Sequence, residues 1–579
     1  MGENEPMFLA LAPIALAVAA FSTVAFALHR RDRAARIAAL RAEWGCAAVR
    51  VRDMATIGAF YRGCGDREAV GSIDDRTWDD LNMNDVFSVL DRTESVVGQQ
   101  VLYSRLRATP FTAHLDAFEA LVMRMSEDAT ARQRAQLALG RLRGPAGYDL
   151  WWLAQPDSLE SAPWHILFPV AAISMAAVAA AVPIWPPAVF LLLAGAIGSL
   201  IVRASVARPL RVVTGAFRQL NPLISAADTL SSLDSDPATG PLIGTLRADA
   251  RRLARLRAIA SWAGRDPTAA IGGDMVGLLF EYLNMVFWLD ANALYFGSRQ
   301  LRARRSELLR VLSAVGEVDA AIGVASYRAD STGWTRPILR TGTAVLTEVC
   351  HPLLPDAVPN TIRLAPPHGV TITGSNMSGK STFLRTVGVS AILAQTINTC
   401  LARRYEAPVF AVRSCIGRAD DPAAGKSYYL VEVESVLAMV HAARSTVPHL
   451  LLFDELFRGT NAVERIAAGE AVLLGLLAPG PAGGPSPHVV LAATHDQELV
   501  GLLDGIYAPH HFADTVDAAG LVFDYKLQPG AATTRNAILL LAQRGAPPEL
   551  VAHALARAQD LDRTRPTTFG ELKAPTVMP

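Results

Sequence analysis

Hydrophobic residues fall into three patterns along this chain of 579 residues. The first is unbroken. Phe8 to Leu28 is a charge-free, mostly apolar run, and a helix needs about 20 such residues to cross a bilayer. Ile166 to Val202 forms a second apolar block, interrupted near its middle by Pro183, Pro186 and Pro187. The interruption predicts two short spans joined by a proline-rich turn rather than one long helix. In the second pattern apolar residues recur at three and four. It covers Leu242 to Arg257, Val276 to Leu294 and Leu301 to Leu312, and predicts helices through 203–340. The third consists of short apolar runs bounded by turn residues: Gly369–Thr373, Pro448–Phe453 and Val489–Thr494. These read as buried strands, with a helical pattern starting at Phe383 after the first. Strands alternating with helices predict a parallel sheet with its ligand at the strand C-terminal ends.

Charge orients the apolar runs. An acidic segment, Met1 to Pro6, precedes the first run, and Arg30, Arg31, Arg33, Arg36 and Arg41 follow it. Arg203, Arg208 and Arg211 follow the second block. The positive-inside rule then gives a three-span topology in the cell (inner) membrane, with the remaining chain on the cytoplasmic side. The competing expectation is that the central block is a buried hairpin. The 54 basic and 54 acidic residues cancel, so no global charge advertises a nucleic-acid partner. The five cysteines are scattered with no C-x-x-C pair, which argues against a disulfide or zinc framework.

Candidate chemistry sits at the ends of the expected strands. Gly374-Ser375-Asn376-Met377-Ser378-Gly379-Lys380-Ser381-Thr382 fits G-x-x-x-x-G-K-[ST] between a strand and a helix. Its glycines let backbone N–H groups converge on phosphate oxygens, and the helix start adds partial positive charge. Lys380 is expected to reach the β- and γ-phosphates of ATP and Ser381 to hold Mg²⁺. Only four lysines occur in the chain, so a lysine kept here points to a site that wants a compact ammonium. The second strand ends in Asp454-Glu455. Asp454 is expected to hold Mg²⁺ through water and Glu455 to polarise the attacking water. The third ends at His495, placed to sense the γ-phosphate or orient water.

These segments resemble one family. Thr373 to Thr382 is similar to the T-G-P-N-M-G-G-K-S-T of the MutS mismatch-repair ATPases. Asp454 to Thr460 resembles their D-E-x-G-R-G-T, Ala493 to Leu499 their A-T-H-x-x-E-L, and Gly425 to Val433 their G-x-S-T-F-M-V-E-M. Weaker likeness extends upstream to 86–106 and 351–362, and downstream to Asn536–Ala554, which resembles the family's C-terminal helix-turn-helix. The resemblance implies ATP held by Gly374, Ser375, Asn376, Met377, Ser378, Gly379, Lys380, Ser381 and Thr382, with Mg²⁺ at Ser381 and Asp454. Glu455 and His495 would be catalytic. Ser427 would face the γ-phosphate bound by the partner subunit of a homodimer.

Departures accompany the matches. Phe457 stands where the family has glycine, Glu464 where it has aspartate and Arg465 where it has glycine. The residues before 86 are few for a mismatch-recognition domain plus a connector. Arg247, Arg251, Arg252, Arg255, Arg257, Arg302, Arg304 and Arg305 form either a solvated helix face or a surface for DNA phosphates. The expected fold is an α/β P-loop NTPase preceded by an all-α MutS-like core/lever domain with transmembrane helices. Its divisions are a transmembrane helix (1–28), a first core part (29–163), a transmembrane hairpin (164–202), a second core part (203–340), the ATPase domain (341–530), a C-terminal dimerisation segment (531–563) and a tail (564–579). The expected function is that of a membrane-anchored ATPase, a dimeric ATP-dependent clamp on DNA that hydrolyses ATP to ADP and phosphate. The alternatives are a membrane-associated switch without mismatch recognition and an ABC-type transporter. The latter needs an L-S-G-G-Q-like helix before Asp454, and the stretch there has no glycine pair.

Overall fold

The computed structural model describes residues 5–64, 71–108, 112–156, 163–205, 207–233, 237, 239–263, 282–366, 369–375, 377–417, 428–479, 484–517, 520–531, 538, 541–542 and 544–564. The chain divides into two compact units. One comprises Met1–Pro337 with Ala391–Leu401, the other Ile338–Ser390 with Ala402–Pro579.

The first unit is helical. Its main helices are α1 (Glu5–Glu43), α2 (Val96–Arg107), α3 (Thr112–Glu127), α4 (Leu167–Ala181), α5 (Ala188–Ser205), α6 (Gly240–Arg252), α7 (Leu289–Ala303) and α8 (Arg305–Asp330). Every residue of α8 from Val318 to Arg328 is buried, which makes it the central helix of this unit. Glycines let α2 approach it. A Cβ on Gly98 would lie 2.2 Å from the Asp319 carboxylate, and one on Gly316 would lie 2.3 Å from Val101. Asp319 accepts from the backbone N–H groups of Glu94 and Ser95, each at 2.8 Å, at the start of α2. Farther along α8, buried Arg328 pairs with buried Glu119 of α3 through two nitrogens at 2.9 and 2.7 Å. The same guanidinium donates to the Asn398 carbonyl at 2.9 Å and to Thr399 Oγ1 at 2.9 Å. Two short strands, β1 (Trp334–Thr335) and an antiparallel partner at Cys400–Leu401, complete the unit.

The expected three-span anchoring and inner-membrane location are corrected here: among the described residues no helix is long and apolar enough to cross a membrane. At 1.5 Å per residue, the 15 residues of α4 rise about 22 Å, short of the roughly 30 Å of a bilayer's hydrocarbon. The 18 residues of α5 include Arg203. α4 and α5 lie against each other as a hairpin, with Met175, Ala188 and Ala196 buried and Met175 close over Gly195, but it is not the buried hairpin of the competing expectation, since Val170, Ile173, Phe190 and Leu193 are exposed. Phe8–Leu28 lies within the backbone of α1, which continues through an arginine-bearing stretch to Glu43. The side chains of residues 5–22 and 25 are outside the described set.

The second unit is α/β. A four-stranded sheet contains β2 (Ile338–Leu339), β3 (Ala344–Val349), β4 (Asn360–Leu364) and β7 (Arg404–Ala407) in the order β2-β7-β3-β4, β6 being the Cys400–Leu401 strand. The larger sheet contains β5 (Gly369–Thr373), β8 (Ala411–Ile416), β9 (His449–Asp454), β10 (Val489–Ala493), β11 (Tyr507–Asp517) and β12 (Gly520–Pro529) in the order β12-β11-β5-β10-β9-β8. From β11 to β8 every neighbouring pair is parallel, and β12 closes the edge antiparallel to β11. β5 and β10 are buried at every residue, and β9 at all but Asp454. Strands covered on both faces lose the alternating pattern, which is why they read as continuous apolar runs. The helices here are α9 (Lys380–Ile397), whose first half belongs to this unit, then α10 (Tyr428–Ala442), α11 (Ala462–Leu477), α12 (Gln497–Leu502) and α13 (Pro548–Thr564). Val436, Met439, Leu451, Phe453, Leu473 and Val490 are among the residues of one core cluster. Part of the expected C-terminal helix-turn-helix and the tail from 565 lie outside the described residues.

Candidate functional site

Strand order decides which side chains meet. β5 carries the glycine loop and β9 carries Asp454 and Glu455, while β10 lies between them and carries His495. Two backbone bonds extend the sheet past the strand ends: Thr494 N–H donates to the Ile372 carbonyl at 3.0 Å, and Glu455 N–H to the Ala493 carbonyl at 2.9 Å. The three segments are thereby fixed in register where they leave the sheet.

Gly374 and Gly379 take φ values of +146° and +107°, where a side chain is strained. A Cβ on Gly374 would lie 2.7 Å from Ser378 Oγ and 3.0 Å from the Phe512 carbonyl oxygen. The buried hydroxyl oxygens of Ser375 and Ser378 have no hydrogen-bond partner among the described residues, so the loop holds polar groups suited to a polar occupant. Lys380 opens α9 and is 5% exposed. Its Nζ donates to the carbonyls of Gly374 and Ser375 at 2.9 and 3.0 Å and lies 3.2 Å from His495 Nε2. His495 Nε2 is in turn 2.8 Å from Glu455 Oε1, and Arg458 Nε is 3.4 Å from Glu455 Oε2. Ser381 Oγ donates to Asp454 Oδ2 at 2.5 Å.

The two adjacent carboxylates sit in different environments. Burial raises the Asp454 pKa, opposed by the Ser381 hydroxyl. The His495 hydrogen bond lowers that of Glu455, against a smaller opposing effect of burial. A hydroxyl and a carboxylate that converge are the hard oxygen donors Mg²⁺ prefers, with its other positions left to water and phosphate. The fit to a magnesium ion at Ser381 and Asp454 therefore rests on their contact and their chemistry. Of the residues expected at the site, Gly374, Ser375, Ser378, Gly379, Lys380, Ser381, Asp454, Glu455 and His495 are brought together as described, while Met377, which is exposed, and Thr382 line the cavity beside the loop. Asn376 and Ser427 lie outside the described residues.

Beside the loop is a cavity of about 550 Å³, lined among others by His351, Val358, Asn360, Thr386, Phe512 and Tyr525. Burial, with Arg385 adding to it, holds the His351 pKa down at about 4. Its Nδ1 accepts from Leu353 N–H at 3.2 Å, and its buried Nε2 has no partner among the described residues. The sequence pointed to His351 only as part of a family likeness, because a lone histidine carries no spacing signal.

Two departures acquire reasons. Phe457 has φ +58°, its ring is 6% exposed, and its N–H donates to Glu432 Oε1 at 2.5 Å. The backbone thus keeps the left-handed conformation that glycine adopts most easily, while the side chain fills core. Arg465, in the first turn of α11, makes a two-pronged contact with Asp496 at 2.8 and 2.9 Å. Sequence reasoning marked Arg465 as unusual but missed Asp496, since nothing local links residues so far apart.

Residues 370–562 match the family model of MutS domain V. This chain carries a MutS-type ATPase domain. The DNA mismatch repair protein MutS of Thermus aquaticus is 34% identical over 274 residues, covering 46% of this chain and 32% of that protein. MutS of Synechococcus sp. (strain JA-2-3B'a(2-13)) is 33% identical over 276 residues, 45% of this chain and 30% of that one. MutS of Streptococcus pneumoniae serotype 19F (strain G54) is 33% identical over 205 residues, 34% and 23%. The chain thus spans about a third or less of the length of these curated relatives. MutS domain V is a P-loop NTPase with mixed sheet and helix, and the second unit has that architecture.

Proposed function

We propose that the second unit binds and hydrolyses ATP and that the protein acts as a dimeric, ATP-dependent clamp on DNA, with the helical first unit as its core and lever. The observation that carries the hydrolytic reading is the convergence of Lys380 and Glu455 on His495, each within hydrogen-bond reach of its Nε2, from segments that follow three different strands. Loop N–H groups and the Lys380 ammonium would take the β- and γ-phosphates. Ser381 and Asp454 would hold a magnesium ion, which when bound neutralises charge developing on the phosphates. Glu455, kept ionised by His495, would accept a proton from the attacking water. His495 Nε2 would donate to that carboxylate when it carries a proton and accept from the Lys380 ammonium when it does not. His351 is among the residues lining a cavity of a size suited to the nucleoside.

Dimerisation is supported by apolar side chains left exposed on α10, with Tyr429 and Leu437 at 40% and 48%. The DNA partner rests on the relatives, which are named mismatch repair proteins.

The test pairs nucleotide binding with ATP turnover on no DNA, homoduplex, mismatched and branched DNA at several salt concentrations. Lys380→Ala should abolish binding of a fluorescent ATP analogue, and DNA should stimulate the wild type. Unchanged affinity in the variant would refute the phosphate-loop role. Turnover indifferent to every DNA would remove the clamp reading and leave an ATP-driven switch.

A further inference from the structure

We infer that Arg465 and Asp496 form a positioning bracket that aims His495 at Glu455 and Lys380, with Arg465 standing where the family pattern has glycine. The inference rests on the ATPase reading given above and extends it to two residues with no assigned part.

Asp496 directly follows His495 and occupies the N-cap position of α12. Its side chain caps no N–H of that helix, so its carboxylate is directed elsewhere. Both its oxygens accept from one guanidinium, Arg465 Nε at 2.8 Å and the terminal nitrogen at 2.9 Å. A planar fork on a planar carboxylate fixes orientation as well as distance. Asp496 N–H donates to Thr494 Oγ1 at 3.0 Å, and Thr494 N–H to Ile372. His495 therefore lies between a residue tied to β5 and a residue tied to α11.

Arg465 is itself anchored. Asn461 caps α11 by accepting from Glu464 N–H at 3.0 Å, and Thr460 Oγ1 donates to Glu464 Oε2 at 2.7 Å. Thr460 and Asn461 end the segment that starts at Glu455. The bracket thus joins the loop that carries Glu455 to the turn that carries His495, so that their 2.8 Å contact is held from both sides. Arg465 also acts on Glu455 through space by its charge; the bracket's positioning effect runs through His495.

A double-mutant cycle tests this, with Arg465→Gln, Asp496→Asn and the pair. Each single change should lower kcat roughly 10- to 100-fold, the range for residues that orient a functional side chain, while the Kd for a fluorescent ATP analogue moves less than about threefold. The double variant should be no worse than the worse single, and Arg465→Lys, which keeps charge but not the fork, should be intermediate. Singles within about twofold of wild type, or a double equal to the product of the singles, would overturn the bracket. Asp496→Asn preserves volume, so a fold check by circular dichroism separates misfolding from mispositioning. A second readout needs no turnover: the ¹⁵N imidazole resonances of His495 should shift or split in Arg465→Gln. Should the wild type hydrolyse no ATP, the ATPase reading falls, and the bracket is judged on those resonances alone, an unchanged spectrum refuting it.

Discussion

Acidification from pH 7.5 to 5.5 is expected to loosen the ATPase sheet, and two buried histidines set the size of the effect. His351 and His449 are 6% and 4% exposed, and both have pKa values lowered from 6.5 to about 4, chiefly by burial. The unfolded chain therefore takes up protons more readily than the folded one across that interval. Stability contributed by the neutral imidazoles is complete above pH about 6.5 and is lost as pH falls toward 4. At pH 5.5 a shift of that size costs about 1–2 kcal/mol per histidine, hence roughly 3 kcal/mol for the two. His488 shifts in the same direction through burial. Its Nδ1 accepts from His449 N–H at 3.2 Å, a bond that protonation would break. All nine tryptophans precede residue 338 and fall in the first unit, so indole fluorescence is blind to this change. Hydrogen exchange of peptides covering β9 and β10, corrected for intrinsic rates, reads it directly. An opening free energy equal or higher at pH 5.5 would refute the argument.

Glu455→Gln should retain ATP affinity while lowering turnover by about 10²- to 10⁴-fold, the span expected for loss of a general base; single-turnover phosphate release measures it, and an unaltered rate would exclude that role. Arg328→Ala strands the buried Glu119 carboxylate and should destabilise the first unit by about 3–5 kcal/mol. Its guanidinium lies 4.3 Å from the centre of the Trp334 ring, so urea unfolding followed by tryptophan emission reports the loss, and a change below about 1 kcal/mol would count against it.

The parallel sheet and the Lys380, Asp454 and Glu455 cluster were legible because burial on both faces writes itself as uninterrupted apolar runs and because phosphate chemistry demands glycines at fixed offsets. His495 was legible as a strand end, but its place between Lys380 and Glu455 follows from β10 lying between β5 and β9, a spatial order that sequence order conceals. The pairing of Arg465 with Asp496 was illegible for a related reason: the two lie at the starts of different helices, α11 and α12, that only the fold brings together. The apolar block at 166–202 misled, because alanine-rich runs have the same composition whether helices face lipid or each other. Packing of Met175 over Gly195 is a tertiary fact with no periodic signature.

The position of β10 also bears on how the protein is made. Synthesis produces the glycine loop and both carboxylates before the strand that must sit between them. A ribosome that has released residues only as far as 488 has supplied Lys380, Ser381, Asp454 and Glu455, yet β5 and β9 are not neighbours in the finished sheet and lack the element that joins them. Long-range pairing of this kind slows folding, and the contacts of His495 with Lys380 and Glu455 form only once β10 has been inserted.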